Sequence, residues 1–514
     1  MDVIFKSQDA VVTGGPVPMP DGVSLYTLIA RPKSGETFPI VLFRTPYDAA
    51  DSVEKVAREL AFSDWLRAGF AVVRQHCRGR GLSEGECHPY HEREDGLATH
   101  DFIRTLPFYG GEIYLAGGSY LATVHLACAT GFGDDIRGAV LWIQTDRMYF
   151  RNYRNGCCYH LCNLPWWLGM LSRRYPDMDK EAPITRPYID VMERIVGEDV
   201  PDYRANLEHI ENDEFWTTDP RNFAAESLRI PVLFAEGWYD FYIEGMFDMW
   251  ERLPAETRAK SAMLVGPWGH ATSVSKRAAY PLANGNIPDD FAVRWCKAIH
   301  EGTPPPWAPG KVHSYSIGGD TWVTDGQDTV PYRLYFGDHR LHDLPTDSGA
   351  ISWRYDPSAR VGCFPFHDIF RAAEPGAIDG VVSFVSDASI CERRFYGKVK
   401  FSLTVASDCE DTAFFMRLYF VENGVAYNLT ETITSLSHVY PEYQPGERVM
   451  LALETPMIGF TLKPVAALRV DISSDGGIYM PHANIRGHFA HVTEEKVANN
   501  TIFPAESYME LCEL

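Results

Sequence analysis

A serine hydroxyl becomes a useful nucleophile only when a turn lifts it into a cleft, a base takes its proton and donors hold the oxyanion that forms. One serine in this chain has suitable neighbours. Ser119 stands in Ile113-Tyr114-Leu115-Ala116-Gly117-Gly118-Ser119-Tyr120-Leu121-Ala122, an apolar strand stopped by two glycines and followed by residues of helical character. Glycines at 117 and 118 permit a sharp strand-to-helix turn without a Cβ clash. A bare Gly-X-Ser is more often an ordinary turn, so its partners decide.

An acyl-transfer triad on a parallel α/β sheet runs serine, acid, histidine along the chain. Downstream, Gly237-Trp238-Tyr239-Asp240 follows an apolar run at 231–234, and Gly266-Pro267-Trp268-Gly269-His270 follows another at 263–265. Both loops lie past the carboxyl end of an expected strand, on the edge that carries Ser119. In that arrangement His270 takes the Ser119 proton and returns it to the leaving group, while Asp240 fixes the imidazole tautomer. The backbone N–H of Tyr120, at a helix N-terminus, is a natural oxyanion donor. A second donor should come from a loop after an early strand, and Arg44-Thr45-Pro46-Tyr47-Asp48 follows the run at 38–43. Tyr47 could offer its phenol or be a half-buried aromatic; the residues leave both open.

The elements around these loops alternate. Strands are expected at 38–43, 70–73, 113–116 and 139–143, with helices at 53–66 and 94–106, which is the pattern of a parallel sheet covered on both faces. From 144 to 229 continuous apolar runs are few and aromatics many, as in a helical insertion capping the sheet's carboxyl edge. Alternation resumes with strands at 230–234, 263–265 and 312–317 and helices at 245–253 and 289–300. After about residue 331 the period becomes two: Val399, Phe401, Leu403 and Val405 alternate with polar residues, and Glu422-Asn423-Gly424 has hairpin chemistry. The expected fold is an α/β-hydrolase core at 1–143 and 230–330, a helical cap at 144–229 and an all-β jelly-roll sandwich at 331–514.

Composition narrows the function classes. With 514 residues several domains are expected, and a net charge of −22 leaves no basic cluster for phosphate, so no nucleic-acid partner is expected. No apolar run reaches the length of a membrane span, and the first residues lack a secretory pattern, so no membrane association and a cytoplasmic location are expected. The 11 cysteines lack disulfide-scaffold spacing. Cys157, Cys158 and Cys162 with His160 lack a second zinc-type ligand pair and read as small residues of a helical segment. Arg78-Gly79-Arg80-Gly81 is not followed by Lys-Ser or Lys-Thr, which argues for a turn braced by charge pairs with Glu94 or Asp95 rather than a phosphate cradle. No metal or organic cofactor is implied.

Several motifs together resemble the family that holds the cocaine esterases, X-prolyl dipeptidyl peptidases, α-amino-acid ester hydrolases and glutaryl cephalosporin acylases. They are Met19-Pro20-Asp21-Gly22-Val23, Arg44-Thr45-Pro46-Tyr47, Arg78-Gly79-Arg80-Gly81-Leu82-Ser83-Glu84-Gly85, Gly117-Gly118-Ser119-Tyr120, the Asp240 and His270 loops, Tyr355-Asp356-Pro357 and Ser507-Tyr508-Met509-Glu510-Leu511. The resemblance spans nearly the whole chain in the family's order. It implies that Ser119, Asp240 and His270 are the triad and that Tyr47 donates to the oxyanion. Ala122 stands where the family often has glycine, and His76 where an aspartate is usual. The α-amino-acid ester branch has an acid shortly after its serine; Leu121 and Ala122 carry none, which counts against a substrate with a free α-amino group.

Trp166, Trp167 and Trp216 of the cap, with Phe241 and Tyr242, suggest an apolar substrate pocket, although each could equally be cap core. The expected partner is a small-molecule acyl ester or amide, with homo-oligomerisation left open. A serine esterase for small, bulky or aromatic acyl groups leads. The alternative within enzymes is an amidase or peptidase, either a β-lactam acylase or an X-prolyl dipeptidyl peptidase using the acidic stretch 208–214 as an ammonium clamp. A third class is a binding protein without catalysis that uses its β domain for sugars.

Overall fold

Alternate residues of the strand Phe38–Thr45 serve two different apolar layers: Ile40 and Leu42 pack into one cluster, Val41 into the other, and all three are fully buried. A strand buried on both faces belongs in the middle of a helix-covered parallel sheet. The structure is a computed structural model; it describes residues 1–47, 52–218, 220–359 and 368–514, without the side chains of 160–163, 218, 220 and 221.

Eleven strands form the first sheet. They are β1 (Asp2–Lys6), β2 (Ala10–Pro18), β3 (Ser24–Pro32), β4 (Phe38–Thr45), β5 (Ala71–His76), β6 (Tyr109–Gly118), β7 (Ile136–Trp142), β8 (Val232–Gly237), β9 (Ala262–Gly266), β10 (Lys311–Ser316) and β11 (Thr321–Thr324). Their order across the sheet is β1-β2-β3-β5-β4-β6-β7-β8-β9-β10-β11. From β5 to β10 every pairing is parallel. The arrangement is α/β-hydrolase-like, and β6, β8 and β9 end on one edge.

A long chain segment enters between β7 and β8 and is mostly helical, including His160–Leu171, Val191–Val196 and Pro201–Glu208. A second, β-rich sheet follows from Val330, with its longest ladder between Arg393–Ser407 and Val449–Leu462. Asn423 and Gly424 have φ of 53° and 76° and join Ala413–Glu422 to Val425–Ser435 by the expected hairpin turn. The two sheets meet where Ile317 bonds Gly459 and Thr461 at 3.1 and 2.7 Å.

Several expectations need correction. The helix expected at 53–66 is two, Val53–Ala61 and Asp64–Arg67, because Ser63 adopts extended backbone and its hydroxyl bonds the Leu60 carbonyl. Cys157 and Cys158 lie on a two-residue ladder opposite Tyr153–Arg154 rather than in a helix, whereas His160 and Cys162 are outside the described side chains. The antiparallel strands β1–β3 were not expected. Among the described residues no helix is long and apolar enough to cross a membrane.

Candidate active site

The turn after β6 is strained where chemistry needs it. Ser119 has φ 55° and ψ −129°, a region costly for a residue with a Cβ, of order 1–3 kcal/mol. Neighbouring bonds hold it there. Its N–H donates to the Trp142 carbonyl at 2.9 Å, and the Gln144 amide donates to the Ser119 carbonyl at 3.2 Å. The glycines are required by close approach: a Cβ on Gly117 would lie 2.5 Å from the Leu121 carbonyl oxygen, and one on Gly118 would lie 2.0 Å from Trp142 Nε1. Ala122, fully buried in the core, occupies its position without disturbing the start of Tyr120–Leu126.

The three sheet-edge residues meet. His270 Nε2 is 2.9 Å from Ser119 Oγ, and His270 Nδ1 is 2.7 Å from Asp240 Oδ2. Asp240 has a fully buried side chain whose other oxygen accepts the Tyr242 N–H at 2.9 Å. An ionised carboxylate can only accept, so the hydrogen sits on Nδ1 and Nε2 faces the hydroxyl as acceptor. A base 2.9 Å from its proton source, oriented from behind by a buried acid, is the geometry of an activated hydroxyl.

Behind Asp240 stands a carboxyl the sequence did not single out. Glu236 is fully buried on β8. One of its oxygens accepts the Gly237 N–H at 2.9 Å and the other has no hydrogen-bond partner among the described residues. Burial and the neighbouring charge of Asp240 hold its carboxyl well above the usual carboxylate range. A raised folded-state value means stability fully present below the unfolded value of 4.5 and lost as pH rises through the folded one. Glu236→Gln should therefore gain on wild type as pH rises from about 5 into the neutral range, by at most about 1.4 kcal/mol per pH unit. Thermal midpoints of both proteins across that range check it; a difference that stays flat with pH contradicts it.

Ser119 and His270 open into a cavity of about 260 Å³. Of the residues expected near the chemistry, Tyr47, Trp166, Phe241 and Tyr242 line it, together with Tyr120. Tyr47 keeps 39% of its surface exposed. Arg80 tethers its loop by donating to the Pro46 carbonyl on one side and to Met170 O, at 3.0 Å, on the other. Trp167 and Trp216 do not join the cavity. They are 1% and 4% exposed, pack in the cap's own core and border a separate space of about 380 Å³. Adjacent helical residues point about 100° apart, so Trp166 and Trp167 cannot share one face.

Three lining residues went unnoticed in the sequence: Tyr90, Gln144 and Arg151. Arg151 is a lone charge inside Tyr149-Phe150-Arg151-Asn152, and that was the available signal. No carboxylate is among the described residues that line the cavity. In the stretch 208–214, Glu211 pairs with His438 at 2.9 Å and Asp213 with His209 at 2.7 Å, and neither is among the described lining residues of the cavity. Arg78 is braced by Asp95, with bonds of 2.7 and 3.0 Å, and by Asp21 at 2.7 Å; Glu94 takes no part in those bonds. His76 stacks on Tyr26 and fills the space against Gly81.

Comparison with known proteins agrees with this fold. The model of the X-Pro dipeptidyl-peptidase (S15) family matches residues 21–272, which include positions 47, 119, 240 and 270. Cocaine esterase of Rhodococcus sp. (strain MB1 Bresler) is 23% identical over 89% of each chain. Among solved structures, an aminopeptidase from a marine sediment Thaumarchaeota archaeon has a TM-score of 0.80 at 18% identity, covering 99% of this chain and 98% of its own. An α-amino acid ester hydrolase gives 0.81 at 18% with the same coverage. A CocE/NonD family hydrolase of Staphylococcus aureus gives 0.68 at 17%, covering 99% and 94%. At those identities the structural likenesses speak for the fold. With the family match running from the first motif loops through His270, residues 21–272 belong to the X-Pro dipeptidyl-peptidase (S15) family, and most of the chain is similar to cocaine esterase.

Proposed function

We propose that this hydrolase is a serine esterase working through an acyl-enzyme. The observation that carries the proposal is the bonded chain from Asp240 through His270 to Ser119 Oγ, at 2.7 and 2.9 Å. Ser119 Oγ bonds to the acyl carbon as His270 Nε2 takes its proton; the acyl–oxygen bond then breaks and the departing alkoxide receives that proton. Water, deprotonated by His270, attacks the acyl carbon and frees Ser119 with release of the acid. The Tyr120 N–H and the Tyr47 phenol are the oxyanion donors in this scheme. Tyr47→Phe should lower kcat by about 10²- to 10³-fold with a much smaller change in KM, the pattern of a contact made mainly in the transition state. Steady-state kinetics on an activated ester measure both; a change confined to KM contradicts the role.

The cavity's aromatic walls, Trp166, Phe241 and Tyr242, and its volume near 260 Å³ support a small acyl group, bulky or aromatic, as substrate. We read the chain as a catalytic core at 1–143 and 230–330, a cap at 144–229 and a jelly-roll domain at 331–514. Membership of a hydrolase family removes the non-catalytic alternative. The peptidase alternative retains one support, the S15 family match, but a free α-amino group would enter a cavity whose described lining offers no carboxylate. Rates on p-nitrophenyl esters against matched p-nitroanilides, Ala-Pro and Gly-Pro anilides included, decide between them. Esters turned over and dipeptidyl anilides ignored are expected; the reverse order overturns the esterase assignment.

A further inference from the structure

Arg151 is 3% exposed, lies on the short helix Tyr149–Asn152 and lines the Ser119 cavity. Its guanidinium stacks over the Trp166 ring at 3.9 Å and faces Tyr90 at 5.6 Å. Stacking uses the flat face of the group and leaves the N–H edge in the ring plane to seek an acceptor. No described residue supplies one to Nη1. Buried Nη1 has no hydrogen-bond partner, and no carboxylate pairs with Arg151 among the described residues. A buried cation is normally paired, because an unpaired one costs far more than stacking returns. Four other buried arginines meet a carboxylate, Arg44 with Glu92 at 3.3 Å, Arg154 with Glu244 at 3.4 Å, Arg417 with Glu431 at 2.6 Å and Arg469 with Asp471 at 2.7 Å, and Arg80 donates to the carbonyls of Pro46 and Met170.

We infer that Arg151 is the anchor for a carboxylate on the substrate, so that the hydrolase acts on esters that are themselves anions. The inference rests on the esterase assignment for its chemistry and deepens it by naming the substrate class. A carboxylate matches the fork of a guanidinium with two charge-assisted hydrogen bonds. Its charge is also the one that the ten described lining residues can accommodate, since Arg151 is the only permanently charged side chain among them. Carboxylate and reacting carbonyl must then fit together in about 260 Å³, which suits a short dicarboxylic half-ester or an ester of a small hydroxy-acid.

Two pairs of esters separate these sources, tested on the full chain as wild type, Arg151→Met and Arg151→Lys. The first pair is p-nitrophenyl hydrogen glutarate and p-nitrophenyl methyl glutarate, which place the charge on the acyl side. The second is 4-carboxyphenyl butyrate and its methyl ester, which place it on the leaving group. In one pair the wild type should favour the anion by about 10- to 100-fold in kcat/KM. Arg151→Met should shrink that charged-to-neutral ratio by about 10²-fold, and Arg151→Lys should restore part of it. Thermal midpoints and labelling by an uncharged fluorophosphonate report whether each variant is folded. Equal rates within both pairs, or a preference that survives Arg151→Met, overturn the inference. Should no ester be turned over, the esterase assignment fails separately. Calorimetric titration of glutarate then decides: saturable binding weakened at least about tenfold by Arg151→Met supports the anchor, and absence of binding to wild type refutes it.

Discussion

Replacing Ser119 by alanine is expected to lower kcat/KM for an activated ester by about 10⁴- to 10⁶-fold, the loss seen when the nucleophile of a cooperating triad is removed. The fold should be unaffected. Alanine keeps the same backbone strain at φ 55°, and the bonds that hold the turn, Ser119 N–H to Trp142 O and Gln144 to the Ser119 carbonyl, use backbone atoms that alanine retains. Activity should therefore disappear at an unchanged thermal midpoint. Retained turnover in rigorously purified variant protein would remove Ser119 from the mechanism.

Asp240→Asn should cost about 10⁴-fold in kcat/KM at neutral pH, although it changes a single atom type. The reason lies in the two bonds of the carboxylate. Oδ1 accepts the Tyr242 N–H and Oδ2 faces His270 Nδ1. An asparagine in the same pose must keep its oxygen toward Tyr242 N–H and therefore turns its NH2 toward Nδ1. His270 must then accept at Nδ1 and carry its hydrogen on Nε2, where it cannot take the Ser119 proton. A loss near 10⁴-fold together with a slower reaction toward fluorophosphonate is the expected pair of results. A loss under tenfold would mean that Asp240 does not orient the histidine.

The meeting of Ser119, His270 and Asp240 was legible because three independent features of the sequence converge. Two glycines before Ser119 mark a turn that only residues without side chains permit there, and the Asp240 and His270 loops each follow an apolar strand. Parallel strands share an edge, so positions just past their ends become neighbours whatever their distance in sequence. Tyr47 was legible through the resemblance of its loop rather than through its residue type. The hairpin at Asn423-Gly424 followed from turn chemistry alone.

What escaped has physical causes as well. Strands β1–β3 lie in a stretch rich in glycine and proline, with Gly14, Gly15, Pro16 and Pro18 inside β2, so local propensity opposes a pairing that tertiary contacts impose. Trp166 and Trp167 look alike in sequence, but helical geometry sends one to the cavity and one to the core. Glu236 reads as a polar break in a strand, and only burial beside Asp240 raises its carboxyl above the usual carboxylate range. Arg151 sits among aromatics where a charge is unexpected; that no described residue pairs with its Nη1 is visible only in three dimensions.

The central claim is that Ser119 is the nucleophile of a bonded triad. Labelling of the wild-type protein with a fluorophosphonate, followed by intact mass and peptide mapping, tests it most directly. One adduct per chain on the peptide containing Ser119, absent in Ser119→Ala and strongly slowed in Asp240→Asn, is the predicted result. No adduct, or an adduct on another residue with ester turnover intact in Ser119→Ala, would contradict it.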